Sequence, residues 1–331
     1  IDRPQPPSRR KGDPPTVTMR ARWNDAMDYD GKYNDGAGEI KLIGEVSVVA
    51  QPKPEERNQL NGKTLTLQFA NTSEDAVEST PGSSPFDTSA SSSRVLERLI
   101  AKGDAKLEQR TWATPLRDGE PRIFYVSAMH LTWNDLAESA EVIGDGELVI
   151  RDPVVADASD AEVGKGLFKG PGTSRFVWTR RLDMARDTEG GFDMSMEGDV
   201  EGLYKGATSE DVATITAERI NARTVPVALS PSTTSPADDG ILDLGDDMDI
   251  DRLMAEGQVY IATPRRRVDC DLFDYDVGTG LAKVSAAEGR TVSIVTEGSP
   301  TPVRAGSVLW NMDPTIDTIT ITGARGGAIN P

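Results

Sequence analysis

Residues Leu253–Gly323 read LMAEGQVYIATPRRRVDCDLFDYDVGTGLAKVSAAEGRTVSIVTEGSPTPVRAGSVLWNMDPTIDTITITG. Short runs of Val, Ile, Leu, Tyr and Thr are broken roughly every eight to twelve residues by Gly, Pro or Asp, which predicts consecutive antiparallel strands and not helices. Two turns punctuate the stretch, Asp276–Gly280 and Asn311–Thr315. Each follows an aromatic residue, Tyr275 or Trp310, and leads into a new apolar run. The approach to them repeats: a small residue, two free positions, an apolar residue, one free position, then Trp or Tyr. Cys270, Phe273 and Tyr275 obey this frame, and so do Ala305, Val308 and Trp310. In Ala255-Glu-Gly257-Gln-Val259 the glycine sits where one strand gives way to the next, a place for φ > 0 or a close backbone approach.

The same devices recur upstream. Thr18, Ala21 and Trp23 stand in the small–apolar–aromatic frame, and a turn-rich stretch, Asp28–Gly38, follows. Glu39–Ile43, Gly44–Val48 and Leu65–Phe69 read as strands, the last by strict alternation. Arg94–Ala101 follows the capping serines Ser91–Ser93. Its Leu96, Leu99 and Ile100 spacing predicts a short helix, with a strand as the alternative. Ile123–Trp133 is the longest β run and carries Ala128, Leu131 and Trp133 in frame.

The order then restarts. Thr173, Phe176 and Trp178 restate Thr18, Ala21 and Trp23, and Trp178 lies 155 residues after Trp23. Gly198-Asp-Val200 restates Gly44-Glu-Val46 at an offset of 154, and Arg252–Val259 restates Arg98–Ala105 at the same offset. Three landmarks at spacings that agree to within one residue predict a tandem duplication that builds a stacked array. The expected division is a Pro-rich linker over 1–15, a first unit over 16–170 with a flexible excursion at 71–93, a second unit over 171–303 with an acidic excursion at 229–249, and an extra edge hairpin of a truncated third unit over 304–331. Trp23, Trp133, Trp178 and Trp310 are expected as core plugs that close sheet layers.

Composition limits the partners. The 331 residues carry a net charge of −18, which argues against a nucleic-acid partner and against docking on an anionic membrane surface. No apolar run approaches the ~18 residues of a membrane helix, and a chain starting at Ile1 is expected to have lost, or to exclude, any signal peptide. Cys270 is the only cysteine, so no internal disulfide forms and no redox compartment is indicated.

Catalytic signatures are sparse. His130 is the only histidine and stands out of phase with Leu131 and Trp133, which reads as structural or solvent-facing. No Cys/His set for zinc and no phosphate-binding glycine loop occurs. Asp28–Gly36 imitates a calcium loop, but Lys32 and Tyr33 occupy positions that need a ligand and a glycine. A turn in which Asn and Asp adopt positive φ is expected instead. The seven aspartates of Asp238–Asp251 read as a solvated acidic loop. No cofactor, no metal and no enzymatic activity are expected.

The segment carrying Ala255, Gly257 and Val259, then Cys270, Phe273, Tyr275 and Asp276, with Val308–Gly323 behind it, resembles the OstA-like β-jellyroll family of lipopolysaccharide transport. The match is clearest over about 250–323 and weaker over 94–150 and 16–48. Cys270 replaces the usual small residue, and the long excursions depart from the compact family member. The resemblance implies an all-β tandem open jellyroll, two facing antiparallel sheets around an apolar trough. It further implies a periplasmic or cell-envelope bridge that binds lipopolysaccharide or a related glycolipid and abuts other jellyrolls, or copies of itself, end to end. Leu67, Met129, Leu131, Trp133, Phe176, Met194, Phe273 and Tyr275 are the expected trough lining, and Ile316, Ile319 and Ile321 the expected edge-pairing residues. The rival expectation is a structural scaffold or filament of the cell envelope whose interior is filled by side chains. A glycan-acting β-solenoid enzyme would need a carboxylate cluster on an open face.

Overall fold

The computed structural model describes residues 18–51, 53–71, 94–153, 171–207, 212–226, 248–313 and 316–324. The expected linker at 1–15 lies outside these residues, as do 72–93 of the first excursion and 229–247 of the second. Asn71 belongs to a strand, and so do Met248 and Asp249, so both excursions are shorter than expected. The described chain is all-β, with 17 strands in one sheet and one short helical turn, α1 (Tyr33–Gly36).

The sheet is a meander. β1 (Thr18–Arg22) and β2 (Ala26–Asp30) lie end to end along β3 (Glu39–Gln51). β4 (Glu56–Asn71), β5 (Arg94–Thr111), β6 (Arg122–Asn134) and β7 (Ser139–Asp152) follow in order. β8 (Gly172–Trp178) and β9 (Arg181–Arg186) share one rung between β7 and β10 (Phe192–Gly206). β11 (Val212–Pro226), β12 (Met248–Ala262) and β13 (Arg266–Asp276) come next. β14 (Leu281–Ser285) and β15 (Val292–Thr296) share a rung between β13 and β16 (Ser299–Asn311), and β17 (Thr318–Ala324) is last. Seventeen strands with three rungs of two strands each make fourteen rungs, every neighbouring pair antiparallel.

A column of bulges divides the sheet into two arms. Gly44-Glu45 on β3 faces Lys63 on β4, Gly103-Asp104 on β5 faces Met129 on β6, Gly198-Asp199 on β10 faces Glu218 on β11, and Gly257-Gln258 on β12 faces Asp271 on β13. A bulge bends its strand, and bulges aligned across successive rungs bend the whole sheet along one line. Gly44 (φ +87) and Gly198 (φ +88) occupy a region closed to other residues, and a Cβ on either would meet the backbone of the neighbouring rung. We call the half that contains β2, β9 and β14 arm 1, and the half that contains β1, β8 and β15 arm 2.

One face of each arm is apolar and closed to solvent. No long helix is present among the described residues to cover it, so each arm is covered by the other. Facing sheets pack about 10 Å apart, and their side chains form one continuous core.

The bulges account for one misreading. Arg94–Ala101 is the start of β5 and not a helix. Gln68 pairs with Arg98 and Phe69 with Leu96, which leaves Glu97 as an extra residue. The three-residue step from Leu96 to Leu99 therefore comes from a bulge that restores the inward phase, not from a helical turn. In contrast, the expected turn is present after Asp30, although Asp28–Asp30 belong to β2, and Asn34 (φ 49) and Asp35 (φ 55) are both at positive φ. Asn34 fastens this turn by donating from Nδ2 to the Phe69 carbonyl (3.1 Å) and to Glu97 Oε2 (3.1 Å).

Candidate functional site

The inward side chains form long cross-strand rows. In arm 1 one row starts at Tyr29 and passes through Leu67, Trp133, Met194, Tyr275 and Trp310 to Ile319. It has one member on each of the fourteen rungs. The adjacent row runs from Met27 through Leu131 and Phe273 to Ile321, again without a gap. Phe176 belongs to the matching row of arm 2, where Gly202 opposite it leaves room for its ring. Seven of the eight expected trough residues thus share one interior. The exception is Met129, which lies opposite the Gly103-Asp104 bulge of β5 and is 58% exposed. Its neighbour Leu131 is buried because the bulge reverses the alternation between them.

The interior is filled. Phe273 and Tyr275 are both 0% exposed and stack at 5.9 Å, and Met196, Leu253 and Ile220 are equally sealed. Surfaces that a water-sized sphere cannot reach leave no open slot at these positions. Towards the outer end of arm 2 the inner face becomes polar. There the buried Glu56 carboxylate accepts from Asn58 Nδ2 (2.9 Å) and Gln109 Nε2 (3.0 Å). Across the outer ends of the arms, Arg122 of β6 reaches Asp249 of β12 at 4.0 Å while it binds Asp152 of its own arm at 2.6 Å.

The tryptophans fall into two groups. Trp133 and Trp310 end their strands at the tip of arm 1 and donate their indole N–H to turn aspartates, Asp135 (2.9 Å) and Asp317 (3.0 Å). Trp178 precedes the bend between β8 and β9 and covers Gly146, where a Cβ would lie 2.4 Å from the ring. All three are buried. Trp23 sits at the corresponding bend between β1 and β2 but is 37% exposed, so it is not a core plug. Its rung is the first of the sheet and has a neighbour on one side only.

That exposure is part of a pattern. On the first rung Met27 and Tyr29 carry the inward phase yet are solvent-exposed, and on the last rung Ile319 and Ile321 are half-buried. Ile316 lies in the turn before β17 and is exposed, outside the strand it was expected to help pair. β17 is anchored from behind by Asp317. Its carboxylate accepts from Arg266 Nε (2.9 Å) and Trp310 Nε1 (3.0 Å). Burial works against the charged carboxylate, but these two bonds and the charges of Arg266 and Arg265 outweigh it and hold its pKa below the usual range.

Two titratable groups of the interior, Cys270 and Tyr204, hold their protons more tightly than usual. Burial, with Asp271 and Asp269 nearby, pushes the Cys270 thiol up to about 12, so it is protonated at neutral pH. Burial and Asp152 likewise raise the Tyr204 phenol. Among the described residues no group of three or more His, Cys, Asp or Glu could hold a metal ion.

The open space is on the other face of the sheet. A concavity of about 1090 Å³ lies on the outer side of arm 1 between β5 and β12. It is lined by the polar phase of the strands that fill the core, including Arg98, Lys102, His130 and Thr132. His130 is out of phase with Leu131 and Trp133, as its position in the sequence implied, and it faces this groove. The alternation of β6 signalled a second face, but not that the face is concave.

No family model, no curated protein and no solved structure matches this chain.

Proposed function

We propose that this chain is a non-enzymatic β-scaffold module of the cell envelope that joins copies of itself end to end through its two terminal rungs. The observation that carries this reading is the uneven sealing of the apolar phase. It is mostly closed to water through the middle of the sheet, where Phe124, Ala140 and Ile150 are half-buried, while the first rung is exposed at Trp23, Met27 and Tyr29 and the last is half-buried at Ile319 and Ile321. Exposed apolar clusters beside unpaired strand edges mark interaction surfaces. In this reading the bulges at Gly44 and Gly198, and those at Gly103 and Gly257, are the marks of a tandem open jellyroll whose units begin near 16 and 171.

Strand direction supports the join. The first rung runs from arm 2 into arm 1, and the last runs from arm 1 into arm 2. With fourteen rungs, the first rung of a second copy lies antiparallel to β17 and continues the meander. The row that ends at Ile319 then resumes at Tyr29, and the row that ends at Ile321 resumes at Met27. Sedimentation of wild type against Ile319→Pro tests this, because proline removes a ladder donor and disfavours pairing. Concentration-dependent association that is lost in the variant is expected. A wild type that stays monomeric at all concentrations overturns the reading.

The second reading is carriage of lipopolysaccharide or a related glycolipid between the arms. It is favoured by one observation: away from the bend, the arms meet through side chains such as Arg122 and Asp249 and not through a hydrogen-bonded ladder. Acyl chains could then enter where side chains part. The buried Glu56, Asn58 and Gln109 weigh against it, because polar groups facing acyl chains are costly. Extraction of the purified protein followed by lipid mass spectrometry separates the readings. Stoichiometric acylated lipid favours the conduit, and its absence favours the scaffold.

A further inference from the structure

The groove on the outer face of arm 1 has an order of its own. Its floor is a single cross-strand row, Thr132, Glu141, Asp183, Ser195 and Asn221, with Ile100 at one end and Met254 at the other. Five consecutive rungs thus present hydroxyl, carboxylate and amide groups in line. Seven strands at about 4.8 Å spacing make a trough about 29 Å long. That length exceeds a small metabolite and suits an extended chain.

The charges in the groove differ in how far they are satisfied. Glu141 and Asp183 are engaged by Arg181, Arg223 by Asp187 and Glu189, and Arg252 by a two-pronged bond to Asp274. Arg98 and Lys102 on β5 also line the groove, and their side chains have no hydrogen-bond or ion-pair partner among the described residues. His130 stands directly opposite Lys102 on β6. Two cations without an ion-pair partner among the described residues stand at one end of a line of hydroxyl and amide groups, and they mark a local candidate anion site in a chain of net charge −18.

We propose that this groove binds an extended, carboxylate-bearing oligosaccharide, with carboxylates at Arg98 and Lys102 and sugar hydroxyls along the row from Thr132 to Asn221. Hydroxyl and amide side chains both donate to and accept from sugar hydroxyls, and carboxylates accept from them. The guanidinium fork of Arg98 matches a carboxylate. The acids Glu141, Asp183 and Asp193 disfavour a ligand of high charge density such as a run of phosphates.

His130 supplies the readout, because it is the only histidine in the chain. Burial first, then the charge of Lys102, lowers its pKa below 6.5, and Glu141 opposes this. The charged groups nearest it are Lys102 opposite it on β5 and Glu141 on β7, with Arg181 and Asp183 on β9 one rung further, while Arg98 lies four residues along β5 opposite Asn134. A carboxylate seated on Lys102 favours the imidazolium and raises this pKa. The experiment is an NMR titration of the imidazole in the full chain with a galacturonate hexamer, maltohexaose or inorganic phosphate. The hexamer is expected to raise the pKa by about one unit, and the other two to leave it unchanged. Arg98→Gln and Lys102→Gln, both on the solvent side of β5, should abolish the response while circular dichroism stays that of wild type. An unmoved resonance, an equal shift with phosphate alone, an equal shift with maltohexaose, or a full response in both variants would each overturn the proposal. The end-to-end reading stands or falls separately, since its tests lie at Tyr29 and Ile319 and neither residue lines this groove.

Discussion

Tyr29 and Ile319 are the two ends of one cross-strand row, and each has a paired neighbour on only one side: Ile40 for Tyr29 and Trp310 for Ile319. Every member between them is flanked on both sides. The first and last rungs therefore bear the same defect, a missing neighbour, and the apolar side chains there show it as exposure.

The bend is the first test of the architecture. The Gly44 carbonyl accepts from the Asn24 N–H at 2.7 Å, and the Gly198 carbonyl accepts from Thr179 at 2.8 Å. Gly198→Ala should destabilise the fold by about 2 kcal/mol, from left-handed strain plus contact with the next rung. Gly278→Ala, in ordinary contact only and without positive φ, should be near neutral. Equal denaturation midpoints for the two variants would mean that the bulge column does not shape the sheet.

The inward phase is tested at two neighbouring positions. Leu131→Ala should cost about 2–5 kcal/mol, because Leu131 is sealed in the core. Met129→Ala, two residues away and opposite the bulge, should cost less than about 0.5 kcal/mol. Chemical denaturation measures both, and comparable losses would place Met129 in the interior after all.

Cys270 gives a pH dependence with a defined sign. The unfolded thiol ionises near 9.0, while the folded one holds its proton to about 12. Below pH 9 the contribution to stability is complete. As pH rises from 9 through 12 the unfolded chain ionises first, so stability falls across that window. Cys270→Ala should flatten this part of the pH profile. The native thiol should also resist alkylation at pH 8, and rapid labelling of folded protein would contradict its burial.

Asp317 predicts the opposite dependence. Its pKa lies below that of the unfolded chain, so its contribution is present above about 3.8 and is lost as pH falls through the folded value. Asp317→Asn should cost about 1.5–3 kcal/mol at pH 7 by weakening a charge-assisted bond to Arg266. It should also change the emission of Trp310, whose indole shares the carboxylate. An unaltered spectrum and midpoint would show that β17 is not anchored there.

Much of this structure could be read from residue types. Ile123–Trp133 and Leu65–Phe69 alternate, and alternation is all a half-buried strand requires. The offset shared by Gly44 and Gly198 was visible because only glycine tolerates that bend. Leu96 and Leu99 misled because a bulge and a helical turn both give a three-residue step, and only the pairing of Gln68 and Phe69 separates them. The frame around Cys270, Phe273 and Tyr275 is the same signature, since its first step crosses the bulge at Asp271. Thr173, Phe176 and Trp178 share the spacing by another route, for no bulge lies between them. Met129 was misplaced because alternation continued through a bulge assigns the wrong face. The groove was hidden because concavity depends on how successive rungs curve, which no single strand encodes.

The most direct test of the end-to-end account is disulfide trapping between chains that carry Tyr29→Cys and chains that carry Ile319→Cys, mixed under mild oxidation, with Cys270 buried and silent. The account predicts a covalent dimer in the mixture and none in either variant alone, because Tyr29 of one copy meets Ile319 of the next and never its own counterpart. No dimer in the mixture, or equal dimer in the single-variant samples, would contradict it.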